Sequence, residues 1–329
     1  LAETLADLAR LQEARGNGAE ALRLRERALH LVRVNEGLYS SNQGPLVRDI
    51  LNSLRRRAAF EALDERYAYF HRLYGSGRPP FDEIRWAANL EYLAWQREAL
   101  LRRLDSDPRQ RLIDLYRLND ELLTVLRESE ETDWRKLRDV ALSQLATLHF
   151  IEDMVEPEQV VLDPRYDAFV RRDDPRDFDV LRERLSNLQR LAASTGRSLV
   201  EEALASVPPG QVEERLELRL ALADWLQWQG ARRDAHAEYE AIWREARAAG
   251  LDGRIRQWFS EPVPLPASGV FEAPGSPASA SMAVTLRVSD DGRARVRDDA
   301  VDEERRWELS RLRRHLHATR FRPAMAEGK

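Results

Sequence analysis

Leu222-Ala223-Asp224-Trp225-Leu226-Gln227-Trp228-Gln229-Gly230-Ala231-Arg232-Arg233-Asp234-Ala235, running on to Tyr239 and Ile242, decides the fold class of this chain. Apolar residues recur at helical spacing on both sides of Gly230, which predicts two helices joined by a tight turn. An earlier stretch, Leu5-Ala6-Asp7-Leu8-Ala9-Arg10-Leu11-Gln12-Glu13-Ala14-Arg15-Gly16-Asn17-Gly18-Ala19-Glu20-Ala21-Leu22, running on to Arg27-Ala28-Leu29, is built the same way. Ala9, Gly16 and Ala21 stand at the same mutual spacing as Ala223, Gly230 and Ala235. Two antiparallel helices approach closely only where facing side chains are small, and the turn between them needs a residue that tolerates positive φ.

Both stretches resemble the tetratricopeptide repeat, a helix-turn-helix unit of roughly 34 residues that stacks into solenoids. The bulky aromatic of the second helix is present as Tyr239, whereas the first copy has Arg25. Leu46 to Leu54 and Ala59 to Tyr74 read as a further hairpin, and Gly75-Ser76-Gly77-Arg78-Pro79-Pro80 breaks the pattern. Phe81 to Leu104 reads as one long helix. Asp107 caps the next, with Pro108 at its first position, and another runs from Thr132-Asp133-Trp134 to about Phe150. Glu152 to Arg176 holds Pro157, Pro164 and Pro175 and reads as an irregular connection. Helices are expected again over Phe178–Ala193, Arg197–Ser206, Gln211–Gln229 and Ala231–Ala249. The expected class is therefore mostly α. A TPR-like α-solenoid of about five or six helical hairpins would span residues 1–259, and a Pro/Ser/Ala-rich linker residues 260–281.

Residues 282–329 read differently. Met282-Ala283-Val284-Thr285-Leu286-Arg287-Val288 alternates as a half-buried strand does. Ser289-Asp290-Asp291-Gly292-Arg293 carries the Asp-Gly signal of a hairpin into a short strand around Ala294-Arg295-Val296. A charged helix is expected from about Val301 to Ala318, then Thr319-Arg320-Phe321-Arg322-Pro323-Ala324 and a Gly328-Lys329 turn. This order resembles the C-terminal domain of the TonB family of envelope energy transducers, although the Tyr-Pro lead-in of that family is absent. The resemblance implies a small α+β module, a last strand beyond Lys329, residence in the bacterial cell envelope, and partner binding in part by strand addition. Arg320 and Arg322 are its candidate partner-binding residues.

Composition narrows the chemistry. The chain has 329 residues, 43% hydrophobic and 33% charged, so it can bury a core and still solvate many helix faces. A net charge of -5 gives no footprint for nucleic acid. Lys136 and Lys329 are the only lysines, and the absence of cysteine excludes disulfides, thiolate catalysis and Cys-ligated zinc. No apolar run approaches the ~18 residues of a membrane span. Leu1 already stands within a helical pattern, so a signal or anchor is expected upstream of it.

None of His30, His71, His149, His236, His315 and His317 sits at metal-site spacing with an acidic partner. Asp298-Asp299 with Asp302-Glu303-Glu304 reads as acidic residues at a helix N-terminus. No phosphate-binding glycine loop or nucleophile elbow is present. No catalytic residue, cofactor or metal is therefore expected. Trp225 and Trp228, three apart on one helix face, are candidates for a peptide groove. Asn35, Glu36 and Tyr39 put hydrogen-bonding groups at one inter-repeat loop, in a run similar to one found in envelope TPR proteins with TonB-like tails. The function expected is a non-enzymatic scaffold or adaptor of the bacterial envelope, periplasmic, binding envelope proteins. The alternative is a cytoplasmic TPR regulator that binds a partner helix or peptide. An enzyme would require polar groups converging in a cleft.

Overall fold

A computed structural model of the chain describes residues 1–129, 133–154, 180–267, 270–271, 286–289, 292–296, 316 and 319–325. Helix dominates, as the periodicity predicts, with eleven helices and four short strands among the described residues. The chain divides into two compact units, Leu1–Ser129 and Glu130–Lys329.

In the first unit each helix packs on the next in sequence: α1 (Ala2–Ala14), α2 (Gly18–Glu36), α3 (Gln43–Arg56), α4 (Phe60–Leu73), α5 (Glu83–Leu101) and α6 (Arg109–Glu128). The α1–α2 turn closes as anticipated. Gly16 lies at φ +80° and the Asn17 amide reaches back to the Gln12 carbonyl at 2.9 Å, a closure that satisfies an orphan carbonyl of the last helical turn. Ala58 (φ 53°) and Arg103 (φ 55°) close α3 and α5 in the same way, with Ala59 N donating to Leu54 O at 3.1 Å and Leu104 N to Ala99 O at 3.2 Å. The core of this unit gathers Val47, Ile50 and Leu54 of α3, Leu63, Tyr67 and Phe70 of α4, and Trp95 of α5. Tyr67 stacks on Trp95 at 4.8 Å, and the indole N–H donates to Asp64 at 2.7 Å. Asp107 accepts the Arg109 amide at 3.0 Å, but the N-cap is Pro108 and the helix begins at Arg109, one residue later than the Asp107 cap predicts. Arg25, at the position of the missing aromatic, is buried and ion-paired to Glu13.

The second unit holds α7 (Trp134–Met154), α8 (Val180–Ser206), α9 (Val212–Trp228), α10 (Arg232–Ala248) and α11 (Asp252–Phe259). Strands β1 (Val263–Pro264), β2 (Leu286–Val288), β3 (Ala294–Val296) and β4 (Phe321–Arg322) complete it. The α9–α10 turn repeats the first turn, with Gly230 at φ +80° and Ala231 N donating to Leu226 O at 2.9 Å.

Two expectations are corrected here. The prolines predict an irregular connection from Glu152 to Arg176, but α7 continues to Met154; the rest of that stretch lies outside the described residues. The two helices expected over 178–206 are one, and Gly196 does not break it. That glycine is buried under the Trp225 ring, which occupies the space a Cβ would need. It is a packing position rather than a turn.

β2 and β3 pair antiparallel with Leu286 opposite Val296 and Val288 opposite Ala294, the hairpin the Asp-Gly run predicts. β1 lies in the proline-rich stretch and pairs antiparallel with β4, Val263 opposite Arg322 and Pro264 opposite Phe321. Leu265 N donates to Arg320 O at 2.8 Å, and Phe321 N to Gly292 O at 2.9 Å, so the 320–322 segment is held from both sides. The helix expected from Val301 to Ala318 lies outside the described residues except for Leu316, which is helical and buried with Ala294 and Phe321. Met325 joins Leu216, Tyr239, Ile242 and Phe259 in the core between α9, α10 and α11.

Candidate binding cleft of the second unit

Three helices of the second unit turn the same face pattern toward one cleft of about 480 Å³. From α7 come Leu142, Leu145, Ala146 and His149; from α9, Glu217, Leu220, Ala221 and Asp224; from α11, Arg254, Gln257 and Trp258. The first two sets have the i, i+3, i+4, i+7 spacing of a single helix face, and the third its first three positions. Pro266 and Ala267, just after β1, close the remaining side. The volume falls in the range of small-molecule and side-chain pockets.

The cleft has two unlike ends. At the outer end Leu142 is partly exposed, and the Arg254 guanidinium is shared between Glu213 and Glu217, the latter at 3.2 Å. Gln257 accepts from Arg254 at 2.8 Å. At the inner end Trp258 is buried, and Asp224 is engaged by its neighbours. Its Oδ1 accepts from the Tyr239 hydroxyl at 2.9 Å and from Arg322 Nε at 2.9 Å, and its Oδ2 accepts from Arg322 Nη2 at 2.7 Å. Arg322 also donates to the Trp258 carbonyl at 3.0 Å. Burial pulls the Arg322 guanidinium toward neutrality, and the Asp224 carboxylate overcomes it, so its pKa is raised. Burial, and then the Asp224 charge, hold the Tyr239 phenol well above its ordinary range.

His149 also stands at the inner end. It is 5% exposed, and its edge-to-face contacts are Trp225 at 4.8 Å and Trp228 at 4.9 Å. Burial drives its pKa down to about 3, so the imidazole is neutral at physiological pH. Its Nδ1 is sealed from solvent and has no hydrogen-bond partner among the described residues.

The sequence candidates are dispersed. Trp225 is 0% exposed and donates to the Ala193 carbonyl at 3.1 Å, while Trp228 donates to Glu152 at 2.6 Å. Both stand behind His149 rather than in an open groove. Glu152 accepts from Gln229 as well, and burial raises its carboxyl against these two donors. Arg322 is buried in the Asp224 pair, and Arg320 bridges β-fashion to Arg293. Asn35, Glu36 and Tyr39 belong to the other unit. There Glu36 accepts from Ser40 at 2.8 Å and Asn42 at 2.7 Å, which stitches the turn and lowers its pKa, while Tyr39 is 59% exposed beside exposed Leu38 and Val34.

The residues that build the cleft were not singled out from the sequence. The usable signal was the matched spacing of His149 and Asp224, each seven residues after the first cleft residue of its helix. Among the described residues no group of three or more His, Asp and Glu side chains comes together to hold a metal, and no helix is long and apolar enough to cross a membrane. No known family model matches the chain, and neither does any curated protein.

Proposed function

We propose that the chain is a non-enzymatic protein-interaction scaffold and that the cleft of its second unit receives an apolar segment of a protein partner. The observation that carries this is the cleft itself: three helices supply apolar walls at one register, and the charged groups around it are neutralised in pairs. A surface of this kind favours an apolar insertion with few polar contacts. The helix-turn-helix units and their resemblance to TPR arrays support a binding role, and the TonB-like order of the tail supports the bacterial envelope as its place of action. A cytoplasmic regulator that binds a partner helix is the competing reading, and fractionation of the protein expressed from its natural gene separates the two.

The direct test fills the cleft. Immobilised full chain is compared with Ala221→Trp and Ala146→Trp in capturing proteins from an envelope extract, with circular dichroism as the folding control. The expected result is a partner retained by the native chain and lost by both folded variants. Equal retention by all three overturns the reading.

A further inference from the structure

We propose that the outward stripe of α1, formed by Leu1, Leu8 and Leu11, joins two copies of this chain through an antiparallel contact of α1 with α1. The stripe lies in the first unit and is independent of the cleft.

Leu1, Leu8 and Leu11 are 83%, 40% and 55% exposed. The other side of α1 is buried through Ala6 and Ala9, with Ala9 packed against Ala21 and Leu24 of α2. Single exposed leucines are ordinary. These three share one face, and that face is buried wherever the hairpin recurs. The positions match when counted back from the left-handed residue that ends each turn, Gly16, Ala58 and Arg103. Leu1 then holds the place of Gln43 in α3 and Ala88 in α5, Leu8 that of Ile50 and Trp95, and Leu11 that of Ser53 and Glu98. None of these six is more than 6% exposed. The cover is the preceding helix each time. α2 covers α3: Leu29 and Ile50 share one core, and Gln43 donates to the Gly37 carbonyl at 2.8 Å. α4 covers α5: Tyr67 stacks on Trp95, and Asp64 accepts its indole N–H. The stripe of α1 therefore has the shape of a stacking surface for one more helix.

Spacing and charge select which helix. Leu1, Thr4, Leu8 and Leu11 alternate at three and four residues, the seam along which two helices interlock. Beside the seam the N-terminal half of α1 exposes Glu3 and Asp7, whereas Arg10 and the cap residue Arg15 are exposed toward its C-terminal end. Glu13, between these arginines, is taken up by Arg25 and Arg56. An antiparallel second copy sets the acidic half of each helix against the basic half of the other, and a parallel one would set like against like. The stripe is thus complementary to itself, and a two-fold contact of this kind closes after two chains.

The test is sedimentation equilibrium of the full chain. The contact is small, so a dimer with a Kd on the order of 10–100 µM is expected, read over about 1 to 500 µM protein. Leu8→Glu/Leu11→Glu, placed at exposed positions, should keep its circular dichroism and stay monomeric throughout. Asp7→Arg should weaken the dimer about 5-fold, and Asp7→Arg/Arg10→Asp should recover it. Ala221→Trp, in the cleft of the other unit, should leave it unchanged, so this proposal and the cleft reading fail separately. A chain that is monomeric at every concentration overturns the proposal. So does a dimer that persists in Leu8→Glu/Leu11→Glu, or one that Asp7→Arg leaves intact or tightens. A monomeric chain whose partner capture is lost in Leu8→Glu/Leu11→Glu overturns it too, and gives the stripe to a partner's helix.

Discussion

The Arg322 guanidinium grips the Asp224 carboxylate with two parallel hydrogen bonds, 2.9 Å and 2.7 Å, joining residues 98 apart in sequence. Both side chains are largely buried, and Tyr239 completes the set. Removing one member leaves the other charged and desolvated. Asp224→Ala or Arg322→Ala should each cost about 3–5 kcal/mol. The double change Asp224→Leu/Arg322→Met should cost clearly less than the sum, because no orphan charge remains. Urea unfolding of the three variants, combined as a double-mutant cycle, measures the difference.

Two glycines are set by close approach. A Cβ at Gly196 would meet the Trp225 ring, and one at Gly292 (φ +70°) would meet the Gln227 amide and the Phe321 carbonyl. Alanine in a helix gains about 1 kcal/mol over glycine, so an open site at 196 would be stabilised by Gly196→Ala. Here overpacking of about 1–3 kcal/mol prevails, and both Gly196→Ala and Gly292→Ala should lower the thermal midpoint. A rise in either would show that the wall yields.

The opposite holds at the glycine-free turns. Ala58 and Arg103 are exposed and lie in the left-handed region. An L-residue there is strained by roughly 1–2 kcal/mol, part of which glycine returns as unfolded-chain entropy. Ala58→Gly and Arg103→Gly should each stabilise the first unit by about 0.5–1 kcal/mol, read from the shift in urea midpoint.

Among the described residues each unit carries one imidazole that resists protonation. Burial lowers His71 of the first unit to about 4 and His149 of the second to about 3. An unfolded imidazole takes up its proton near ~6.5. Between about pH 6.5 and 4 the unfolded state therefore binds one more proton per unit than the folded state. Stability should fall as pH drops through that window, by about 1.4 kcal/mol per pH unit for each histidine, and should not depend on them above it. Glu152 opposes this in the second unit, since burial raises its carboxyl and the folded state holds that proton longer. Urea titrations at several pH values should show the decline, with a shallower slope for the second unit in His149→Phe.

These sites also show why parts of the structure were legible in sequence and others were not. The repeats at residues 5–29 and 222–242 stood out because Gly16 and Gly230 mark their turns, and the helices fell at nearly the predicted bounds. The turn at Ala58 has the same geometry without the glycine, so nothing in composition announced the kinship. The break expected between residues 193 and 197 is absent for the converse reason: a glycine such as Gly196, in contact with a distant ring, looks the same in sequence as one required for its φ. Arg322 read as an accessible charge because its partner is far away in the chain. The cleft was invisible for that reason too, since its walls come from three helices and neutralisation of Asp224 depends on the tail.

The pairing of β1 with β4 bears on how this chain can be shortened. The composition change near residue 260 and the strand onset near residue 282 look like natural places to end a fragment. Ending it near 282 would strip β1 of its only partner among the described strands and ending it near 260 would remove β1 as well, and either cut would take Phe321 and Met325 out of their packing and leave Asp224 without Arg322. The stretch beyond residue 319 behaves as a keystone laid last: it closes an arch whose other stones were set much earlier in the chain. A fragment of the helices alone is therefore a different object from those helices in the whole protein, whereas a single nick between residues 268 and 285 should leave the two pieces clasped together.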